Sequence, residues 1–285
     1  MYKNALTSAD VCIIIHSNLY FKERIKMKNV MRVLLVVMAL VLMLGCFAGC
    51  ADKNPETNGG NETKKLVMGT NAAFPPYEFV DDNNKIVGID AEIAEAVAKK
   101  MGYELEIKDM EFDSLIAAVA TKNVDFVLAG LTVTEERKES VNFSDTYAKG
   151  VQVIIVKEGS DVKSVDDLAG KKIGVQQGTT GDIYCTDEFG ADNVKQYQNG
   201  ALAVQALNNG QVDCVVIDNE PAKNFVKANT GLAILETAYA EEDYAAAIAK
   251  DNTELLESFN KALAELKADG TIDGIIEKYI PSEAE

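Results

Sequence analysis

A chain of 285 residues that is 47% apolar and 26% charged has room for one large or two ordinary domains, each with its own core, and is neither disordered nor fibrous. Its 45 acidic residues outnumber 28 basic ones, and removing residues 1–50 deepens the imbalance to a net charge near −21, so nucleic acid and anionic membrane surfaces are poor partners. Trp is absent, the one His is His16, and Walker-type and Gly-x-Gly-x-x-Gly patterns are missing, which excludes imidazole bases, the usual zinc sites and nucleotide hydrolysis by this chain.

The apolar run Val33 to Cys50 follows Lys26, Lys28 and Arg32 and ends in small residues, the pattern of a signal peptide. A membrane-spanning anchor is the alternative, and the run is short for it. Met27 opens the usual basic segment, so residues 1–26 read as an over-long start. The ending Phe47-Ala48-Gly49-Cys50 resembles the lipobox of bacterial lipoproteins, which makes Cys50 the expected lipidation site and Cys46 the weaker candidate. Residues 51–63 are polar and aperiodic, as expected of a flexible tether, and the globular part starts near Lys64.

From there strands and helices alternate. Lys65–Gly69 reads as a strand, Thr70–Pro76 as a loop carrying Phe74, and the segment after Gly88 as a helix whose Ile93, Ala94, Val97, Ala98 and Met101 share one face until Gly102 stops it. Tyr103–Lys108 is the next strand, Asp113–Thr121 a helix and Val124–Ala129 a third strand. This order implies a parallel sheet covered by helices. Gly130-Leu131-Thr132-Val133-Thr134-Glu135-Glu136-Arg137 then places Thr134 as N-cap of a helix opening at Glu135, with Arg137 in its first turn.

A second series follows: a short helix at Ser164–Leu168, the strand Lys172–Val175, a polar Gly/Thr loop at Gln176–Gly181, helices at Asp182–Phe189 and Ala201–Leu207, and the strand Val212–Ile217. In each series a helix leads to a Val-Asp-x-Val strand, at Val124 and at Val212, that delivers polar residues at its carboxyl end, which suggests two related lobes. Extended stretches at Tyr147–Val151 and Ala240–Tyr244 flank the second series. If both cross between lobes, the amphipathic tail helices at Thr253–Ala268 and Ile272–Tyr279 return to the first lobe, and two crossings side by side make a hinge with a cleft.

In open α/β sheets ligands sit beyond the carboxyl ends of the strands, which here points to Asn71–Phe74, Gly130–Arg137, Gln176–Thr180 and Asp218–Glu220. These loops offer a guanidinium, a carboxylate, hydroxyls and an aromatic face. That set complements an α-amino acid: Arg137 for the carboxylate, Asp218 for the ammonium, Phe74 for the side chain. The acids Glu241-Glu242-Asp243 read as a solvated surface. Cys185 and Cys214 could pair outside the cytoplasm, although their apolar surroundings suit buried thiols.

Several ordered motifs between residues 65 and 280 resemble the family 3 extracellular solute-binding proteins, the amino-acid receptors of ABC importers: Gly69–Phe79, Gly88–Ile93, Ala129–Arg137, Asn142–Asp145 and Val175–Thr180. The resemblance implies an α/β, two-lobed periplasmic-binding-protein type II fold with two hinge crossings and C-terminal helices returning to lobe 1. Residues 64–148 with 245–285 would form that lobe and 149–244 the other. It also implies a monomer with no catalytic residues, cofactor or metal, anchored at the extracytoplasmic membrane face, partnered by permease subunits and binding a free amino acid.

Residue by residue, the resemblance assigns Arg137 and the Thr132 N–H to the ligand carboxylate, with Thr180 as a further donor. Gly130, the Thr132 hydroxyl and Asp218 fall to the ammonium, Phe74 and Phe112 to apolar walls, and Asn71 and Gln176 to selectivity. Asn71 stands where members binding basic amino acids usually carry Asp, so an uncharged polar ligand is expected, unless Glu78 or Asp113 restores the charge and makes this a receptor for a basic amino acid. An enzyme on the same scaffold, similar to cyclohexadienyl dehydratases, is the alternative from another class; it would need a general acid such as Glu220 or Glu78.

Overall fold

The computed structural model describes residues 64–235 and 238–281, all within the second of the chain's two units, Asn61–Glu285. The leader, Cys50 and the 51–63 tether lie outside the described residues. No helix among the described residues is long and apolar enough to cross a membrane.

The chain builds two principal sheets joined by strands that run between them. The first contains β1 (Lys65–Thr70), β5 (Glu104–Asp109), β6 (Phe126–Val127), β7 (Val141–Phe143) and β14 (Ala247–Ala249), in the order β5-β1-β6-β14-β7. β1, β5 and β6 are parallel, whereas β14 is antiparallel to β6 and β7. The expected all-parallel sheet is therefore mixed. The late strand β14 re-enters from the second half of the chain, a non-local pairing that periodicity cannot reveal. A small hairpin sheet, β2 (Ala73–Phe74), β3 (Glu78–Val80) and β4 (Ile86–Val87), replaces the loop expected around Phe74.

Helix α1 (Ile89–Met101) buries the face read from its spacing, except that Met101 is only half-buried, and Gly102 closes it in the left-handed conformation at φ 80°. The face packs against the tail helices α7 (Thr253–Ala268) and α8 (Thr271–Tyr279), whose Leu255, Phe259, Leu263, Leu266 and Ile272 enter the same core. Each such side chain contributes roughly 1.5–3 kcal/mol on burial, which fixes the tail on the first sheet. Between β5 and β6 the chain makes a 3-10 turn (Phe112–Ser114) and α2 (Leu115–Ala120), and after β6 comes α3 (Glu135–Ser140). The apolar run from Val124 to Ala129 is buried apart from half-buried Asp125, yet only Phe126–Val127 pairs as a strand. There the apolar pattern reported burial, and ladder pairing stopped where the chain turns at Gly130.

The second sheet runs β10 (Val194–Tyr197), β9 (Ile173–Gln176), β11 (Cys214–Asp218), β8 (Ala148–Lys157), β12 (Leu232–Ile234), with β13 (Ala240–Tyr244) also on β8. Its helices are α4 (Thr180–Phe189), α5 (Gly200–Asn208) and α6 (Asn219–Ala228). The stretches read as crossings, Tyr147–Val151 and Ala240–Tyr244, fall on the start of β8 and on β13, which pair antiparallel from Ala240 with Gln152 to Tyr244 with Ala148. β6 and β11 each sit at the middle of their sheet, so both deliver their following loops to the space between the sheets. Cys185 and Cys214 are free and fully buried in one core cluster, and burial pushes both thiols up to about 12.

Candidate ligand-binding cleft

One cavity of about 400 Å³, counting its open mouth, is lined by all nine residues expected to touch ligand: Asn71, Phe74, Phe112, Gly130, Thr132, Arg137, Gln176, Thr180 and Asp218. Glu78, Gln152, Thr179, Ile217 and Tyr244 also line it. Residues from both sheets contribute, so the cavity is the cleft that the two crossings imply.

Thr134 caps α3 by accepting a hydrogen bond from the Arg137 N–H at 3.1 Å, which fixes Arg137 in the first turn, where its side chain is buried. The guanidinium donates to the Thr132 carbonyl at 2.7 Å and to the Gly178 carbonyl at 3.0 Å, and its carbon lies 5.6 Å from the Phe112 ring centroid. Both acceptors are neutral, and no carboxylate lies within ion-pairing distance among the described residues. Burial lowers the Arg137 pKa, opposed chiefly by the charge of Glu242. Beside it α4 begins at Thr180, where Thr179 caps the helix by accepting from the Asp182 N–H. A cation with spare donors next to a helix start is an anion site, suited to a carboxylate.

Opposite lies Asp218, 1% exposed and N-cap of α6. Its Oδ2 accepts from the Val151 N–H at 2.9 Å and the Tyr244 hydroxyl at 2.6 Å, and its Oδ1 accepts from the Glu220 N–H at 3.1 Å. Burial raises its pKa to about 7 against the lowering effect of those donors. One acceptor position on Oδ1 remains for a ligand cation. The packing here is tight: a Cβ on Gly150 would meet Tyr244 at 2.4 Å and Asp218 at 2.7 Å. Gly130 is similarly constrained, with φ 52° and Phe74 only 2.9 Å from where its Cβ would stand. The Gly130 N–H donates to Asp90 at 2.7 Å, as does the Tyr147 hydroxyl, so Asp90 from the Gly88-Ile89-Asp90 motif holds the loop in place.

Asn71 is committed elsewhere. Its amide donates to the Met110 carbonyl at 2.9 Å, and its oxygen accepts from Gln176 at 2.9 Å across the cleft, leaving the buried Gln176 Oε1 without a partner. Phe74 stacks on Tyr77 at 5.8 Å, forming an aromatic wall, and Phe112 is half-buried beneath Arg137.

The most informative lining residue is Glu78. It is 0% exposed and neither carboxyl oxygen has a hydrogen-bond donor. Burial first, and the adjacent Asp90 carboxyl second, push its pKa well above the usual carboxylate range. The sequence offered it only as a possible restorer of charge, since its place in the Tyr77-Glu78-Phe79 alternation does not show what lies opposite. Glu242 corrects the reading of the 241–243 acids: Glu241 and Asp243 are exposed, but Glu242 is buried. It lies on β13, where alternation turns every second residue inward, and that period of two was the available signal.

The sequence profile of the bacterial extracellular solute-binding proteins, family 3, matches residues 66–282, and the chain belongs to that family. It is thus a solute-binding component of transport and not an enzyme. Over 251 residues it is 37% identical to the arginine-binding extracellular protein ArtP of Bacillus subtilis (strain 168), covering 86% of this chain and 98% of that one. Over 254 residues it is 31% identical to the L-cystine-binding protein TcyJ of Escherichia coli (strain K12), covering 88% and 95%. Among solved structures, an ancestral arginine-binding protein bound to glutamine superposes with TM-score 0.73 at 46% identity, covering 76% of this chain and 98% of that one. The arginine-, lysine-, histidine-binding protein ArtJ of Geobacillus stearothermophilus does so with TM-score 0.73 at 39% identity, covering 78% and 97%. These neighbours share the two-lobed type II fold.

Proposed function

We propose that this protein captures a basic α-amino acid, arginine foremost, between its lobes and delivers it to the permease of an ABC importer. The observation that carries the ligand's charge is Glu78, wholly buried against the cleft with both oxygens lacking a donor. Once Arg137 takes the ligand carboxylate and Asp218 with Thr132 and Gly130 takes the ammonium, Glu78, whose carboxyl neighbours Asp90, is the remaining acid on the cavity wall without a cationic partner. A buried acid in that position favours a cationic side chain as its counter-charge. The expectation of an uncharged ligand rested on Asn71, whose amide already bonds Met110 and Gln176, so position 71 decides less than its identity suggested. Relatives named for arginine, and a neighbour named for arginine, lysine and histidine, support the same reading.

Thr180 and the Thr132 N–H complete the carboxylate pocket, Phe74 and Phe112 flank the aliphatic stem, and Gln176 offers its free oxygen to the side-chain head group. Residues 64–148 with 245–285 form one lobe and 149–244 the other, and the monomer closes on its ligand. Calorimetry of the ligand-stripped mature domain with the twenty amino acids should rank arginine and lysine above glutamine, with sub-millimolar affinity. Tighter binding of glutamine or another uncharged amino acid would return the specificity to the Asn71 reading, and no binding at all would sink the receptor.

The mature protein is held at the extracytoplasmic membrane face by lipid on Cys50, following the lipobox-like Phe47-Ala48-Gly49-Cys50. Cys50→Ala should release it from membranes and abolish incorporation of labelled fatty acid. Retained labelling would assign the anchor to Cys46.

A further inference from the structure

We propose that Glu242 is a positioning residue for ligand recognition: it holds the Thr132 hydroxyl so that the oxygen faces the cleft as an acceptor, which selects ligands bearing an α-ammonium group. This rests on the reading of the cleft as an amino-acid site and adds to it a residue that does not line the cavity.

Four observations support the assignment. Glu242 is an inward-facing residue on β13, one of the two strands that run between the sheets, and it is buried. Its Oε2 accepts from the Thr132 hydroxyl at 2.9 Å and from Gln152 Nε2 at 3.0 Å. One donor comes from the loop after β6 of the first sheet and the other from β8 of the second, so the carboxyl group ties the two halves together at the base of the cleft. Its other oxygen, Oε1, is buried with no hydrogen bond within 3.5 Å, and the Tyr184 hydroxyl is the neighbouring polar group. A buried carboxylate with spare acceptor capacity is a strong sink for the one proton that a hydroxyl carries.

The chemical consequence follows from that single proton. A threonine hydroxyl has one O–H donor and two lone pairs. With the proton directed to Glu242, the cleft side of Thr132 presents lone pairs only. It can accept from an ammonium and cannot donate to a carboxylate, which separates its role from that of Arg137 in the first turn of α3. The charge of Glu242 also supports the buried guanidinium without occupying it, because both Arg137 side-chain hydrogen bonds go to carbonyls. Arg137 thus keeps its fork available for the ligand.

Glu242→Gln tests this, since the carboxamide keeps the shape but can donate to Thr132 and turn the hydroxyl proton toward the cleft. L-arginine binding, measured by calorimetry, should weaken about tenfold or more. Its desamino analogue, 5-guanidinopentanoate, should lose less than about threefold, so the preference for the α-amino compound narrows. In a Thr132→Val background Glu242→Gln should change the arginine Kd by less than about threefold, whereas a Thr132→Ser background should preserve the full loss. Equal losses for both ligands, or the same loss in the Val background as in the wild type, would reduce Glu242 to a structural strut and overturn the proposal. If Glu242→Gln fails to fold, Glu242→Leu carries the same cycle, because it too frees the hydroxyl. Failure of wild-type protein to bind any α-amino acid would instead fault the receptor reading.

Discussion

Arg137→Ala should abolish amino-acid binding, weakening the best ligand at least about a hundredfold while leaving the fold intact by circular dichroism. The size of the effect comes from how the guanidinium is held. It is 8% exposed, orients through two neutral carbonyls and meets no carboxylate among the described residues, so an incoming α-carboxylate becomes its ionic partner in a site from which water is largely excluded. Removing one member of such a pair costs about 2–5 kcal/mol, much of it from leaving the other charge buried alone. Arg137→Lys should recover only part of the loss, because an ammonium cannot supply two parallel hydrogen bonds to one carboxylate. Retention of micromolar binding by Arg137→Ala would show that the carboxylate is recognised elsewhere.

Glu78→Gln should invert the ligand ranking. Arginine and lysine should weaken by about a hundredfold, near the 3 kcal/mol expected for a charged hydrogen bond in a buried site, while glutamine holds or improves. The mutation also bears on pH. Burial and Asp90 keep the Glu78 carboxyl protonated well above the ordinary carboxylate range, and Asp90 itself is raised to about 6, chiefly by burial. A proton on this pair competes with a cationic side chain. Raising the pH removes the competitor, so wild-type affinity for arginine should increase from about pH 5 to about pH 8, and the rise should be shallower in Glu78→Gln, where Asp218 alone still titrates against the ligand. Glutamine affinity should also rise over that interval, but less, because Asp218, its pKa raised to about 7 by burial, receives the α-ammonium of either ligand. Equal pH profiles for arginine in the wild type and in Glu78→Gln would mean that Glu78 does not receive the cation.

Local signals were legible where local physics decides. The helix Thr253–Ala268 has the bounds that its apolar face and Gly270 indicate, and Thr134 caps the helix that presents Arg137, because a cap and an amphipathic stripe need only neighbours in sequence. The strand-end segments, with Phe112 added from the family resemblance, name nine residues that line one cavity. What escaped was set by distant partners. Val194–Tyr197 is an edge strand of four residues whose exposed middle gives it little apolar signature. The helix Asn219–Ala228 follows Asp218 directly, and the carboxylate that suggested a ligand contact is also its N-cap. Asn71 looked decisive by identity but is occupied by Gln176 from the other sheet, and Glu242 looked like a solvated acid until Thr132 and Gln152 converged on it. The last two depend on contacts across roughly 90 to 110 positions of chain, beyond any window of periodicity.

The antiparallel pairing of β8 with β13, from Ala240 with Gln152 to Tyr244 with Ala148, has a mechanical consequence. Two separate linkers would let the halves twist, slide and splay independently. Strands laced to each other form a ribbon that flexes across its face but resists shear along its length. A bend of that ribbon would be the one coordinate left for the two halves to open and shut along.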